Sequence, residues 1–212
     1  MNEAFFSRDI QKIRPAINIV HILIENGYNI SDKCSLYNFF QLIDQDESQE
    51  GNEIVERAAE FIHHSLKVNP FNKELEMIIN IAGYFLPAYE RGNFTMKIQL
   101  IKTLCLTIRN VKPDILKEWV KRNLIQILVP ALDYDDEEVI IDIIQCLIII
   151  FELDPVYDDK ENNIAILDFD QCNGRTKMED LDHSNEKIAD LSAQFLQVFQ
   201  KVDKENEEID RT

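Results

Sequence analysis

The sequence predicts an all-α protein built from stacked helical repeats, and three observations support this fold class. The chain has 212 residues, of which 45% are hydrophobic and 29% are charged, a composition typical of a folded globular protein. It contains only 5 glycines and 6 prolines, too few for a β-sandwich with many turns. The third observation is a helical pattern of apolar residues that recurs along the chain at a fixed period.

The recurring pattern is a quartet of positions i, i+3, i+4 and i+7, which lie on one face of an α-helix. Four quartets follow one another at a period of 42 residues and begin at Ile17, Ala59, Ile101 and Ile143. All of their members except His21 and His63 are apolar. A weaker fifth copy begins at Leu191, after an insertion of about six residues, as expected for an atypical terminal repeat. The pattern predicts one long helix per copy, near residues 9–26, 53–67, 95–110, 137–152 and 185–200.

Shorter apolar segments separate these long helices and end in acidic or polar turns. They read PheGlnLeuIleAsp at 40–44, LeuProAlaTyrGlu at 86–90 and ValProAlaLeuAsp at 129–133. A further helix is predicted over Pro113 to Lys121, with proline in its first turn. Three helices in a period near 42 residues are typical of armadillo repeats, in which neighbouring repeats bury each other's apolar faces. We therefore predict a right-handed α-α superhelix of about four to five armadillo repeats over residues 1–200.

Two segments do not follow the repeat. Residues 153–174 are predicted to form an acidic insertion that contains one short apolar helix beginning at Ile164. Residues 201–212 lack apolar periodicity, so a disordered, solvated acidic tail is expected there.

Charge and cysteine content restrict the classes of partner. The chain carries 39 acidic and 22 basic residues, and its net charge of −17 repels nucleic-acid phosphates and favours basic proteins as partners. The most apolar run, Val139 to Phe151, contains Asp142 and is shorter than the roughly 20 residues of a membrane-spanning helix. The 4 cysteines form no CxxC pair, and the N-terminus lacks the layout of a signal peptide. We expect a chain that is soluble and intracellular, with no membrane contact.

No motif in the sequence supports catalysis or a cofactor. The chain lacks a glycine-rich phosphate loop and a nucleophile signature, so neither an enzyme nor a cofactor site is predicted. His21 and His63 occupy equivalent repeat positions, but side chains one repeat apart stand roughly 10 Å from each other, too far to share a zinc ion unaided. An EF-hand-like run from Asp168 to Glu179 is a weak alternative, because Cys172 replaces a ligand and the turn glycine is displaced.

One group of candidate binding residues is acidic. Such clusters are usually solvated turns, but equivalent turns align along one edge of a solenoid and can sum into an acidic ridge that attracts a Lys/Arg-rich ligand. The acidic-edge candidates are Asp133, Asp135, Asp136, Glu137 and Glu138.

The second half of the chain resembles the C-terminal armadillo repeats of importin-α, the adaptor of nuclear import. CysAsnGlyArgThrLysMetGluAspLeu at 172–181 is similar to the family's Cys-Gly-Gly-x-x-Lys-Ile-Glu-x-Leu, and His183, Asn185, Glu186 and Ile188 resemble the motif that follows it. In the segment 114–132, Asn123 stands where the family has a glycine, and asparagine tolerates the same left-handed turn.

The resemblance implies a concave groove that binds an extended localisation signal through Trp and Asn side chains. The 42-residue register places Phe61, Thr103 and Gln145 at three of the Trp positions and Ser65, Thr107 and Ile149 at the matching Asn positions, and no Trp/Asn pair is kept. These six residues are the peptide-groove candidates. The implied partners are transport factors or a Lys/Arg-rich peptide, and the implied location is the cytoplasm and the nucleus.

Two alternatives stay open at this point. The chain could be an armadillo scaffold that has lost localisation-signal binding and serves an unrelated protein partner. It could also form a homodimer through an end repeat, since an uncapped solenoid leaves one apolar face exposed.

Overall fold

The computed structural model describes residues 10–28, 36–43, 49–69, 81–153, 155, 163–181 and 184–209. These residues form α-helices and one 3₁₀ helix, with no β-strand among them, which confirms the all-α prediction. The first helices are α1 (Ile10–Glu25), α2 (Leu36–Ile43), α3 (Gln49–Val68), α4 (Ile81–Arg91) and α5 (Phe94–Ile108). The later ones are α6 (Pro113–Val120), α7 (Leu124–Leu128), the 3₁₀ helix (Val129–Asp133), α8 (Glu137–Phe151), α9 (Ile164–Gln171), α10 (Gly174–Glu179) and α11 (Glu186–Ile209).

The chain divides into two compact units, Met1–Val111 and Lys112–Thr212. The repeat pattern predicts one domain over residues 1–200, without this division. Long helices nevertheless lie at all five copies of the repeated quartet, where the structure has α1, α3, α5, α8 and α11.

In the first unit, the long helices pack in chain order, α1 against α3 and α3 against α5, with α2 also packed against α3. Among the apolar quartet members of these helices, Ile24 is half-buried and the others are buried. Helix α5 begins where the Asn93 side chain accepts a hydrogen bond from the backbone N–H of Met96, at 2.9 Å. The period-42 pattern thus identifies the face of each helix that packs in the core.

In the second unit, α8 packs along α11, and the side chain of Trp119 is fully buried. Four phenylalanines, Phe151, Phe169, Phe195 and Phe199, form an aromatic cluster whose ring centroids lie 5.2 to 5.7 Å apart. Edge and tilted contacts of this kind stabilise a core beyond the burial of apolar area alone.

Two asparagines turn the chain of the second unit through the left-handed region. Asn123 has φ 64° at the start of α7, the left-handed turn predicted for it, and Asn173 has φ 56° at the start of α10. Asparagine adopts this conformation more readily than other non-glycine residues. At Gly174 a side chain is excluded for another reason, because an added Cβ would collide with the ring of Phe169.

The structure differs from the sequence analysis in the two segments outside the repeat. The predicted short helix in the insertion 153–174 is α9, which extends to Gln171, and α10 begins at Gly174; residues 154 and 156–162 lie outside the described part. The tail predicted to be disordered from 201 is helical through Ile209. This helix end is tied down by Arg175, whose guanidinium pairs with Asp203 and lies 4.5 Å from the ring centroid of Phe199.

Two further properties follow from the described helices. Cys105 and Cys146 are buried thiols that pack as small apolar groups, as predicted from their helical pattern. Within the described ranges, no helix combines the length and the apolar character that crossing a bilayer requires.

Candidate functional site

Four of the six groove candidates are buried inside the first unit. At most 1% of the surface is exposed in Phe61, Ser65, Thr103 and Thr107. The ring of Phe61 stacks on Phe39 of α2 with centroids 3.8 Å apart, and the Thr103 hydroxyl donates to the backbone oxygen of Ala59 on α3 at 3.0 Å. Neighbouring helices therefore cover these four side chains, and their role in a peptide groove stays a prediction.

The other two groove candidates, Gln145 and Ile149, lie on α8 in the second unit and are half-buried. Both are therefore partly accessible from solvent.

The acidic-edge candidates lie together at the junction of the 3₁₀ helix with α8. Asp133 forms an ion pair with Lys177 of α10. Asp136 caps α8 by accepting a hydrogen bond from the backbone N–H of Val139 at 3.1 Å. Glu137 accepts a hydrogen bond from the amide of Asn185 at 2.7 Å. Asp135 and Glu138 are exposed at the same edge.

A surface cleft of about 590 Å³ opens beside this edge, between the turn that follows the 3₁₀ helix and α10. We call it the acidic cleft. Its apolar wall is formed by three side chains that are at least nine-tenths buried, Leu132, Ile140 and Leu181. Its charged residues are Asp133, Asp135, Asp180 and Lys177, and Tyr134 and Thr176 also line it. The combination of an apolar wall and a carboxylate rim suits a side chain with an apolar stem and a cationic end.

The electrostatics of the acidic cleft are uneven. Three carboxylates face one ammonium group, and that ammonium is already paired with Asp133. Asp135 and Asp180 have no ion-pair partner within the described part of the chain. An excess of negative charge beside an apolar wall attracts a cation more strongly than the same charge in open water, because the wall lowers the local dielectric constant.

The positions of the cleft residues follow from local turns. The 3₁₀ helix packs against α10, and Tyr134 then leaves it in an extended conformation toward the Asp136 cap of α8. On the other side, the left-handed Asn173 and the close approach of Gly174 to Phe169 set the direction of α10. Asp133 and Lys177 are thereby brought together although they are 44 residues apart in the chain.

Lys177 and Asp180 were not selected as site residues from the sequence. The signal that could have found them is the repeat itself, because several side-chain contacts join residues about one period apart. Gln126 and Asp168 are separated by 42 residues, and Asn185 and Glu137 by 48. A search for opposite charges at this separation would have paired Asp133 with Lys177.

A second, smaller cavity of about 290 Å³ lies in the first unit among polar residues of α1, α3 and α5. His21 joins two carboxylates there, with Nδ1 2.8 Å from Glu60 and Nε2 3.1 Å from Glu25. Arg57 lies 3.3 Å from Glu53 and offsets its charge. Much of the polar capacity of this cavity is used internally, so the acidic cleft is the better candidate for an external ligand.

The EF-hand-like run from Asp168 to Glu179 spans the second half of α9, a two-residue turn and α10. Asp168 lies on α9, is only 6% exposed, and accepts a hydrogen bond from the amide of Gln126 at 3.2 Å. Its burial raises the pKa of the Asp168 carboxyl, an effect that the Gln126 hydrogen bond partly opposes. Burial also raises the pKa of the Cys172 thiol, and the negative charge of Asp168 raises it further. The described residues contain no group of three or more His, Cys, Asp or Glu side chains suited to a metal ion.

No protein-family model, curated protein or solved structure matches this chain.

Proposed function

We propose that this chain is a non-enzymatic, armadillo-type adaptor that binds a Lys/Arg-rich segment of a partner protein at the acidic cleft. The observation that carries the proposal is the ion pair between Lys177 and Asp133, in which the cleft already holds a lysine ammonium of its own chain. Two further carboxylates, Asp135 and Asp180, line the same cleft. The overall net charge of −17 would speed the approach of a basic partner.

Contacts between successive copies of the repeat support the armadillo part of this proposal. Within the first unit, the Thr103 hydroxyl of α5 reaches the backbone of Ala59 on α3, 44 residues earlier. Within the second unit, Asn185 at the start of α11 reaches Glu137 on α8, 48 residues earlier. Side chains that meet about one period apart are what stacked repeats produce. The right-handed superhelix of about four to five repeats remains part of the proposal.

A role in nucleocytoplasmic protein transport is the more specific form of the proposal. Its support is that the segment 172–181, which resembles importin-α, also supplies Lys177, Asp180 and Leu181 to the acidic cleft. Transport factors are then the expected partners, and the cytoplasm and nucleus the expected location.

An armadillo scaffold without localisation-signal binding is the second candidate function, and one observation favours it. The side chains that would replace the family's peptide clamp are buried, which leaves at most 1% of their surface accessible to a peptide; they are Phe61, Ser65, Thr103 and Thr107. Homodimer formation through an end repeat also stays a prediction. The apolar side chains available for it on α1 are Ile19 and Ile22, which are 50% and 54% exposed.

Fluorescence anisotropy with a labelled Lys/Arg-rich peptide tests the adaptor proposal. We expect saturable binding that weakens with salt and is lost when the peptide lysines are replaced by alanine. Replacing Asp135 and Asp180 together by asparagine should weaken binding about twofold to fivefold per lost charge pair, the range for exposed ion pairs.

The matched control is Glu56→Gln, which removes one carboxylate from the cavity of the first unit and leaves the acidic cleft intact. Equal affinity of the wild type and the Asp135/Asp180 variant would exclude the acidic cleft as the binding site. An affinity that does not change when the peptide lysines are replaced by alanine would favour the scaffold proposal.

A further inference from the structure

We infer that Lys177 is an internal competitor, which occupies the acidic cleft in place of the cationic side chain of a partner. The inference rests on the proposed function, and it adds the residue that sets how strongly a partner binds. The direct observation is the ion pair between the Lys177 ammonium and the Asp133 carboxylate inside the cleft. The Lys177 side chain is 20% exposed, whereas that of Asp133 is 59% exposed, so the lysine is the more enclosed member of the pair.

The backbone around Lys177 is held in place, which makes this competition effective. The left-handed Asn173 precedes helix α10, and its carbonyl accepts a hydrogen bond from the backbone N–H of Lys177 at 3.0 Å. Met178 is 1% exposed and anchors the helix in the core. Because the backbone is held, the Lys177 ammonium stays near Asp133 at the high effective concentration of a tethered ligand.

This arrangement determines which carboxylates a partner meets first. Asp133 is neutralised by Lys177, so Asp135 and Asp180 are the charges that an incoming cation can use without displacing another side chain of the described residues. A partner that also binds Asp133 must break the internal ion pair. The acidic cleft should therefore bind a segment with several closely spaced cations better than a segment with one.

Replacing Lys177 by methionine tests the inference, because methionine keeps an apolar stem and removes the charge. In anisotropy titrations at low salt, we expect Lys177→Met to bind the Lys/Arg-rich peptide about twofold to fivefold more tightly than the wild type. The gain should shrink at high salt. Adding Asp133→Asn to Lys177→Met should abolish the gain, since the carboxylate that the first substitution releases is then absent.

Two variants separate this effect from net charge and from folding. Lys204→Met removes one positive charge from an exposed position on α11 that does not line the acidic cleft, and it should leave the affinity nearly unchanged. Lys177→Arg keeps the ion pair and should bind like the wild type. Thermal unfolding of each variant checks that the fold is intact.

The outcomes distinguish this inference from the proposed function. If the wild type binds the peptide and Lys177→Met binds no more tightly than Lys204→Met, the internal competitor is excluded and the adaptor proposal stands. If neither the wild type nor folded Lys177→Met binds, the adaptor proposal fails and the inference fails with it. Binding by Lys177→Met that exceeds both wild-type and Lys204→Met binding supports the inference.

Discussion

Arg175 and Asp203 join two helices that are distant in sequence, through contacts of 3.1 Å from Nη1 to Oδ2 and 3.2 Å from Nη2 to Oδ1. The same guanidinium binds both carboxylate oxygens of Asp170, with Nε 2.7 Å from Oδ1. Hydrogen bonds to Asp170 and then to Asp203 raise the pKa of the Arg175 guanidinium further above its already high value. The charged group thus links α9, α10 and the last turns of α11.

The first prediction is that Asp203→Asn loosens the end of α11. Backbone amides over residues 203–209 should exchange with solvent about twofold to fivefold faster, as expected for the loss of a partly exposed ion pair. Hydrogen exchange measured by mass spectrometry gives the rates. The control is Asp190→Asn at an exposed position of the same helix. Equal exchange in the two variants would show that Arg175 does not hold this helix end.

The second prediction concerns the close approach of Gly174 to Phe169. A Cβ at residue 174 would meet the ring atoms Cε2, Cδ2 and Cζ of Phe169, which is itself buried in the aromatic cluster. Gly174→Ala should lower the free energy of unfolding by about 1–3 kcal/mol, the usual cost of overpacking a core. Urea denaturation measures this loss.

A double-mutant cycle gives the corresponding control. Phe169→Leu removes the colliding ring, so Gly174→Ala should cost less in the Phe169→Leu background than in the wild type. An unchanged cost would place the strain in the backbone rather than in contact with Phe169.

The helices that the sequence predicted best are those whose faces are buried along their whole length. Ile17, Ala59, Ile101 and Ile143 follow one another at intervals of 42 residues, and all four are buried. These helices were predictable because a buried helix face requires apolar residues at helical spacing, whichever element it packs against.

The candidate sites were less predictable because they depend on contacts between elements. Phe61 is covered by Phe39 of α2, a contact that no spacing within α3 reveals. Lys177 reaches Asp133 because Asn173 and Gly174 direct α10. Helix α11 continues past residue 201, where the apolar pattern ends and Asp203 pairs with Arg175 of another helix. The acidic edge was recognisable from composition, whereas its partners were not.

The third prediction distinguishes a packing role of Thr103 from a role in binding peptide. Thr103→Val removes the hydroxyl, whose single proton is shared between the backbone oxygens of Gln99 and Ala59, at 2.8 and 3.0 Å. We expect a loss of about 1 kcal/mol of unfolding free energy, the net contribution of one such hydrogen bond, and no change in peptide affinity. Thr95→Val at an exposed position of the same helix is the matched control. Weaker peptide binding with unchanged stability would instead return Thr103 to the groove.

The fourth prediction is a pH dependence of stability that arises from Asp168. Burial raises the pKa of its carboxyl in the folded chain, and Oδ2 has no hydrogen-bond partner within the described residues. In the unfolded chain, the Asp168 carboxyl has the usual aspartate pKa of about 4. Between that pH and the raised pKa of the folded state, the folded state binds more protons at Asp168 than the unfolded state does. The Asp168 contribution to stability is therefore greatest below this pH range and falls as the pH rises through it.

The variant Asp168→Asn should abolish this fall. The unfolding free energy of the variant minus that of the wild type should therefore increase with pH across the range and then level off. Gln126→Leu removes the hydrogen bond that opposes the shift and should extend the fall to higher pH. Urea denaturation at a series of pH values measures both, and a difference between Asp168→Asn and the wild type that is independent of pH would contradict the effect of burial.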